Sequence, residues 1–153
     1  MKTIRKHIAS HAPSDTEHIG KAIGARLRGG EVIELTSDLG GGKTTFTRGV
    51  VAALSPDTVV SSPTFTVGKV YETLHLTVYH YDFYRLGEAG LIAEELAESL
   101  EDPKGIVIVE WADVVRGVLP EGRIKVRFET TDELARLLTI ECPEEKQYLL
   151  EDV

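Results

Sequence analysis

Twelve consecutive residues, Leu35-Thr36-Ser37-Asp38-Leu39-Gly40-Gly41-Gly42-Lys43-Thr44-Thr45-Phe46, constrain this chain more than any others. Before them, Glu31 to Leu35 reads as a short strand carrying Val32, Ile33 and Leu35; after Gly42, about Lys43 to Leu54 reads as a helix. The glycines therefore fall at a strand-to-helix turn. Without Cβ atoms, successive backbone N–H groups can turn towards one centre, and the helix N-terminus adds unpaired N–H groups and the positive end of its dipole. The pattern G-x-x-x-x-G-K-[ST] of a phosphate-binding loop is met with one departure, Ser37 in place of the first glycine, which a serine can fill with a negative φ. In that reading Lys43 places its charge near the β- and γ-phosphates and Thr44 offers a hydroxyl to Mg2+. An accidental glycine-rich turn is the plain alternative, and it leaves the strand-before-helix context and the Lys-Thr pair unexplained.

The rest of the composition narrows the class. At 153 residues the chain is expected to be one domain, large enough for a sheet with helices on its faces. The one cysteine, Cys142, excludes an internal disulfide. No apolar run approaches transmembrane length or follows the basic start as a leader would, so the expectation is a cytoplasmic chain that does not meet a membrane. Seventeen Lys and Arg against 25 Asp and Glu give a net charge of −8, which opposes a direct electrostatic grip on nucleic acid.

Along the chain, Lys2 to Ile8 alternates weakly as a first strand. Ser14-Asp15-Thr16-Glu17 resembles a capping box opening a helix through Ile19, Ile23 and Leu27, which Arg28-Gly29-Gly30 ends. Thr16 is either a simple cap or a contact on the adenine side of a nucleotide. Beyond the phosphate-loop helix, Ser62-Pro63-Thr64-Phe65-Thr66 is a proline-stiffened polar loop, placed where switch segments meet a γ-phosphate or its metal; Thr64 is the hydroxyl of interest, and an ordinary loop is the alternative. Val67 to Tyr71 and Leu76 to Phe83 predict a β-hairpin. Asp82, at its end, is suited to hold Mg2+ or orient an attacking water, whereas His80 reads as a packed strand residue. Gly87 to Glu101 has helical spacing. Gly105 to Asp113 is nearly all apolar and ends in acids, as a strand buried on both faces does. Glu110 there is either a second site acid or a cap for the short helix after it, and a lone tryptophan such as Trp111 is usually core. Arg123 to Glu129 alternates basic and apolar, predicting a strand with a solvated basic face. Leu137 to Cys142 supplies another strand, and Leu149 and Leu150 end a tail placed to cover the fold.

Five marks in this order resemble one bacterial family, the TsaE (YjeE) ATPases of tRNA threonylcarbamoyladenosine biosynthesis: Asp38 to Gly49, Ser62 to Thr66, His80-Tyr81-Asp82-Phe83-Tyr84-Arg85-Leu86, Val109-Glu110-Trp111, and Gly117-Val118-Leu119-Pro120. With the phosphate loop, the resemblance implies an α/β, P-loop-like fold with a mostly parallel central sheet, flanking helices and an antiparallel edge hairpin. The resemblance also implies Mg2+-dependent ATP binding and slow hydrolysis beside the partners TsaB and TsaD, which carry out the transfer to tRNA; tRNA is met only through that complex. It implies that Lys43 and the loop from Asp38 and Leu39 through Gly40, Gly41, Gly42, Thr44 and Thr45 hold phosphates. By the same resemblance Thr44 and Glu110 are Mg2+ ligands, Asp82 is a metal-linked or water-orienting acid, Thr64 is part of the switch, and Trp111 moves from core to site. Ser37 departs from the family's glycine.

Rival readings are a GTPase, a small-molecule kinase, and a nucleotide-dependent binding module without turnover. The chain contains no asparagine, so it lacks the Asn-Lys-x-Asp guanine motif. A kinase lid would draw on Arg85, Arg116 and Arg123, which form no recognisable cluster in the sequence.

Overall fold

The computed structural model describes residues 2–37, 40–61, 68–84 and 90–153. Its strands are β1 (Thr3–Ser10), β2 (Val32–Thr36), β3 (Gly68–Glu72), β4 (Thr77–Asp82), β5 (Gly105–Glu110), β6 (Ile124–Thr130) and β7 (Arg136–Pro143). Its α-helices are α1 (Pro13–Gly24), α2 (Lys43–Leu54) and α3 (Leu91–Leu100). The strands form one sheet in the order β1-β7-β6-β2-β5-β4-β3. The four central strands β6, β2, β5 and β4 run parallel, β3 adds the antiparallel edge expected of the hairpin, and β7 and β1 form a second antiparallel flank.

Two apolar layers hold the sheet. Ile33, Leu35, Ile106, Ile108, Ile124 and Val126 pack with Ile19 and Ile23 of α1 and Phe46 and Val50 of α2. On the other face Val32, Val107, Val109 and Tyr81 pack with Leu96 of α3 and with Leu119. β5 is buried at every position, which is why its sequence runs apolar rather than alternating. Helices α1 and α2 touch backbone to backbone. A Cβ on Gly49 would lie 2.0 Å from the Glu17 carbonyl oxygen, and one on Gly20 would lie 2.2 Å from that of Phe46. That approach carries the first turn of α1 to the start of α2.

Two details correct the expectations. Helix α1 has no capping box: its N-cap is Ala12, Pro13 fills the first turn, and no side chain caps it. Proline needs no N–H partner there and its φ already suits a helix. Ser14 thus lies inside the helix, while the Asp15 carboxylate accepts from the His11 N–H at 2.9 Å. The helix also closes at Gly24, earlier than Arg28-Gly29-Gly30.

The expected basic face of the sixth strand is solvated at Lys125 and Arg127 but not at Arg123, whose Nε donates to the buried Glu34 carboxylate at 2.6 Å. Across the open face Arg5, Glu141, Lys125 and Glu34 stand in register, alternating in charge from strand to strand. The tail covers the fold as expected: Glu144–Leu150 is a 3-10 segment whose Leu149 and Leu150 join the larger core. Among the described residues no helix is long and apolar enough to cross a membrane.

Candidate functional site

At the carboxyl ends of the parallel strands lies a cavity of about 470 Å3. One wall is the phosphate loop and the start of α2, with Gly40, Gly41, Gly42, Lys43, Thr44 and Thr45. Gly40 and Gly42 have φ of 77° and 103°, in the left-handed region that residues with a Cβ avoid. Trp111 is the one described non-glycine residue with positive φ, so Ser37 meets the condition that its replacement of glycine imposes. Helix α2 begins at Lys43 with no side-chain cap and no acid in its first turn, which leaves its dipole available to an anion. Lys43 is buried, with Nζ 3.4 Å from the Ser37 carbonyl oxygen and 4.3 Å from the centroid of the Trp111 ring.

The facing wall is built from two strand ends. β4 and β5 pair in parallel with Asp82 opposite Glu110, so two carboxylates emerge side by side into the cavity. The Phe83 N–H donates to the Glu110 carbonyl at 3.0 Å and locks that register one residue further. Asp82 accepts from the Tyr84 N–H at 3.0 Å. Burial pushes its carboxyl pKa above the usual range and Glu110 adds to the shift, while the Tyr84 N–H, Lys43 and His80 oppose it. Trp111 comes next in the chain with φ 55° and ψ 54°, an uncommon left-handed backbone for a bulky residue. That turn sets its ring against both Lys43 and Tyr84, the latter at 4.9 Å between centroids. Glu110 is no cap for the 3-10 turn Ala112–Val115, whose N-cap is Trp111 without a side-chain bond.

Thr16, Lys43, Thr44, Thr45, Asp82, Glu110 and Trp111 thus share one cavity with the three glycines. Asp38, Leu39 and Thr64 lie outside the described residues. Thr16 is buried and bonded to Ser10 Oγ at 2.7 Å, with its methyl group 3.7 Å from where a Gly42 Cβ would stand; it is a wall residue rather than a helix cap.

Among the described residues, four that line the cavity were not foreseen as site residues: Pro13, Tyr84, Leu134 and Arg136. Tyr84 was within reach, since it lies two residues beyond Asp82. Leu134 and Arg136 had no local signal. They reach the cavity because the β6–β7 turn folds back over the loop, where Arg136 Nη2 donates to the Gly40 carbonyl at 3.2 Å. Arg116 and Arg123 do meet in space, on Glu34 at 3.5 and 2.6 Å, but neither lines this cavity.

The donors suit magnesium. Mg2+ takes hard oxygen ligands and completes its shell with phosphate and water, so it needs one or two carboxylates rather than a protein cage. Thr44, Asp82 and Glu110 offer such oxygens around one space, and among the described residues no cage of three or more His, Cys, Asp or Glu exists.

Residues 10–138 match the family model described as threonylcarbamoyl adenosine biosynthesis protein TsaE. A tRNA threonylcarbamoyladenosine biosynthesis protein TsaE from Bacillus subtilis is 35% identical over 83% of this chain and 79% of its own length. One from Rickettsia bellii is 32% identical over 92% and 97%. The crystal structure of Bacillus subtilis YdiB superposes with a TM-score of 0.81 at 28% identity, over 99% of this chain and 95% of that one. The chain therefore belongs to the TsaE family of tRNA threonylcarbamoyladenosine biosynthesis proteins.

Proposed function

We propose that the cavity binds ATP with Mg2+ and hydrolyses it slowly, and that this cycle serves threonylcarbamoylation of a tRNA adenosine by the partner proteins TsaB and TsaD. One observation carries the reading: a phosphate loop with Lys43 and Thr44 faces two adjacent strand-end carboxylates, Asp82 and Glu110, across one cavity. Binding and chemistry divide between the walls. The loop amides, the α2 N-terminus and Lys43 hold the phosphate chain by charge and hydrogen bonds. Thr44 and Glu110 are the residues that would hold Mg2+, which when bound neutralises charge on the β- and γ-phosphate oxygens. Asp82, beside Glu110 and bonded to the Tyr84 N–H, is placed to share that ion's water shell or to orient the attacking water. Pro13, Leu134 and Arg136 line the same cavity, and that part of it is left for the nucleoside.

The net charge of −8 supports action through a protein complex rather than by gripping tRNA directly. The test is phosphate release from ATP, with and without TsaB and TsaD, alongside threonylcarbamoylation of tRNA by those two proteins. Mg2+-dependent release, and repeated rounds of transfer that need this chain, are the expected results. Nucleotide binding with no release under any condition would leave a binding module. Transfer at one rate with and without this chain would remove the role in the complex.

A further inference from the structure

His80 is buried without trace of exposure, yet neither packing nor the two walls account for its imidazole. Its Nε2 lies 2.6 Å from Glu110 Oε2, with side-chain exposures of 0% for His80 and 3% for Glu110. A carboxylate can only accept, so Nε2 carries the hydrogen and donates. His80 stands on β4 two residues before Asp82 and pairs in register with Ile108, two before Glu110. It therefore sits directly beneath the two acids. The Tyr71 ring packs on the imidazole at 6.4 Å between centroids, and the Tyr71 hydroxyl donates to the Ser61 carbonyl at 3.1 Å.

Packing alone would favour an apolar residue here. His80 Nδ1 is buried with no hydrogen-bond partner among the described residues, and such an atom carries a cost that a leucine would avoid. The return on that cost is visible only at Glu110, whose carboxylate is buried, lines the cavity, and is bonded by His80.

We infer that His80 is a positioning residue: by donating to one oxygen of Glu110 it fixes the carboxylate's rotamer, so that Glu110 enters the cavity in a single orientation. This rests on the proposed role of Glu110 towards Mg2+ and ATP. Outer hydrogen bonds of this kind orient ligands, and removing one costs about 10- to 100-fold in metal affinity or activity.

The test compares His80→Leu, His80→Gln, Glu110→Gln and the double variant His80→Leu/Glu110→Gln. Each is measured for ATP affinity with and without Mg2+, read by calorimetry or Trp111 fluorescence, and for phosphate release. His80→Leu should bind ATP alone as the wild type does, but lose Mg2+-dependent tightening and about 10- to 100-fold in turnover. His80→Gln, which keeps an N–H within reach of Glu110, should recover most of both. The double variant should be no worse than Glu110→Gln, because the two residues act as one unit. It also removes the buried unpaired carboxylate, so it answers the question even if His80→Leu folds poorly. Normal turnover and Mg2+ response in His80→Leu, or losses that add in the double variant while Glu110→Gln is impaired, would overturn the positioning role and leave the ATPase reading intact. Normal turnover in Glu110→Gln would instead remove the reading of the acid, and the role of His80 with it.

Discussion

Two buried carboxylates stand at opposite ends of the parallel strands, Glu31 just before β2 and Glu110 at the end of β5, and each residue is 2% exposed. Glu31 is consumed by the fold. It accepts from the Arg28 N–H at 2.9 Å, the Gly29 N–H at 2.7 Å and the Tyr148 hydroxyl at 2.8 Å. Glu110 takes, among the described residues, one side-chain bond, from His80, and turns to the cavity beside Asp82. Equal burial therefore means different things at the two ends. A buried charge whose hydrogen-bonding capacity is used by backbone and tail is a fastener, whereas one that is oriented and left facing a cavity can act on a ligand.

The comparison breaks most visibly at Glu31. Replacing it with Ala leaves the Arg28 and Gly29 amides and the Tyr148 hydroxyl without their acceptor, and the expected cost is about 3 kcal/mol of stability or more. Denaturant unfolding should show that loss, while ATP affinity of the folded protein stays at the wild-type value. A loss of affinity with unchanged stability would mean that the two ends had been assigned the wrong way round.

Tyr148→Phe sharpens the same end with a smaller effect, about 1 kcal/mol for one hydrogen bond. It also has a pH signature. Burial, helped by the bond and charge of Glu31, pushes the Tyr148 pKa up from 10.0 to about 12. A group whose pKa is raised on folding contributes stability below its unfolded pKa of 10.0 and loses it as pH rises towards 12. Wild-type stability should thus fall between those values more steeply than that of Tyr148→Phe. Parallel curves in that window would remove Tyr148 from the Glu31 cluster.

At the cavity end, Arg136→Ala should have the smallest effect. The bond from Arg136 to the Gly40 carbonyl is exposed, so ATP affinity should weaken about threefold with no change in the turnover of bound nucleotide. A changed turnover rate with unchanged affinity would place Arg136 with the acids instead of the nucleoside.

The phosphate-loop end was legible because its chemistry is local: Gly40 to Thr45 occupy consecutive positions, and a strand followed by a helix fixes how they face. The all-apolar run ending at Glu110 likewise announced a central parallel strand. The helix start at Pro13 was misread because Ser14-Asp15-Thr16-Glu17 satisfies the capping pattern, while Pro13 satisfies the first turn without it. The His80–Glu110 bond was not legible, since it joins residues 30 apart whose proximity depends on β4 and β5 being parallel neighbours. Leu134 and Arg136 were missed for the same reason: nothing near them in the sequence tells that the β6–β7 turn returns to Gly40.

The most direct test of the division between the loop and the acids is to measure ATP affinity and phosphate release together, in Mg2+, for the wild type, Lys43→Ala and Glu110→Gln. Lys43→Ala should lose both affinity and turnover, whereas Glu110→Gln should stay folded, bind ATP no more weakly than the wild type does without Mg2+, and lose turnover about tenfold or more. Phosphate release at the wild-type rate from a folded Glu110→Gln protein would contradict the account.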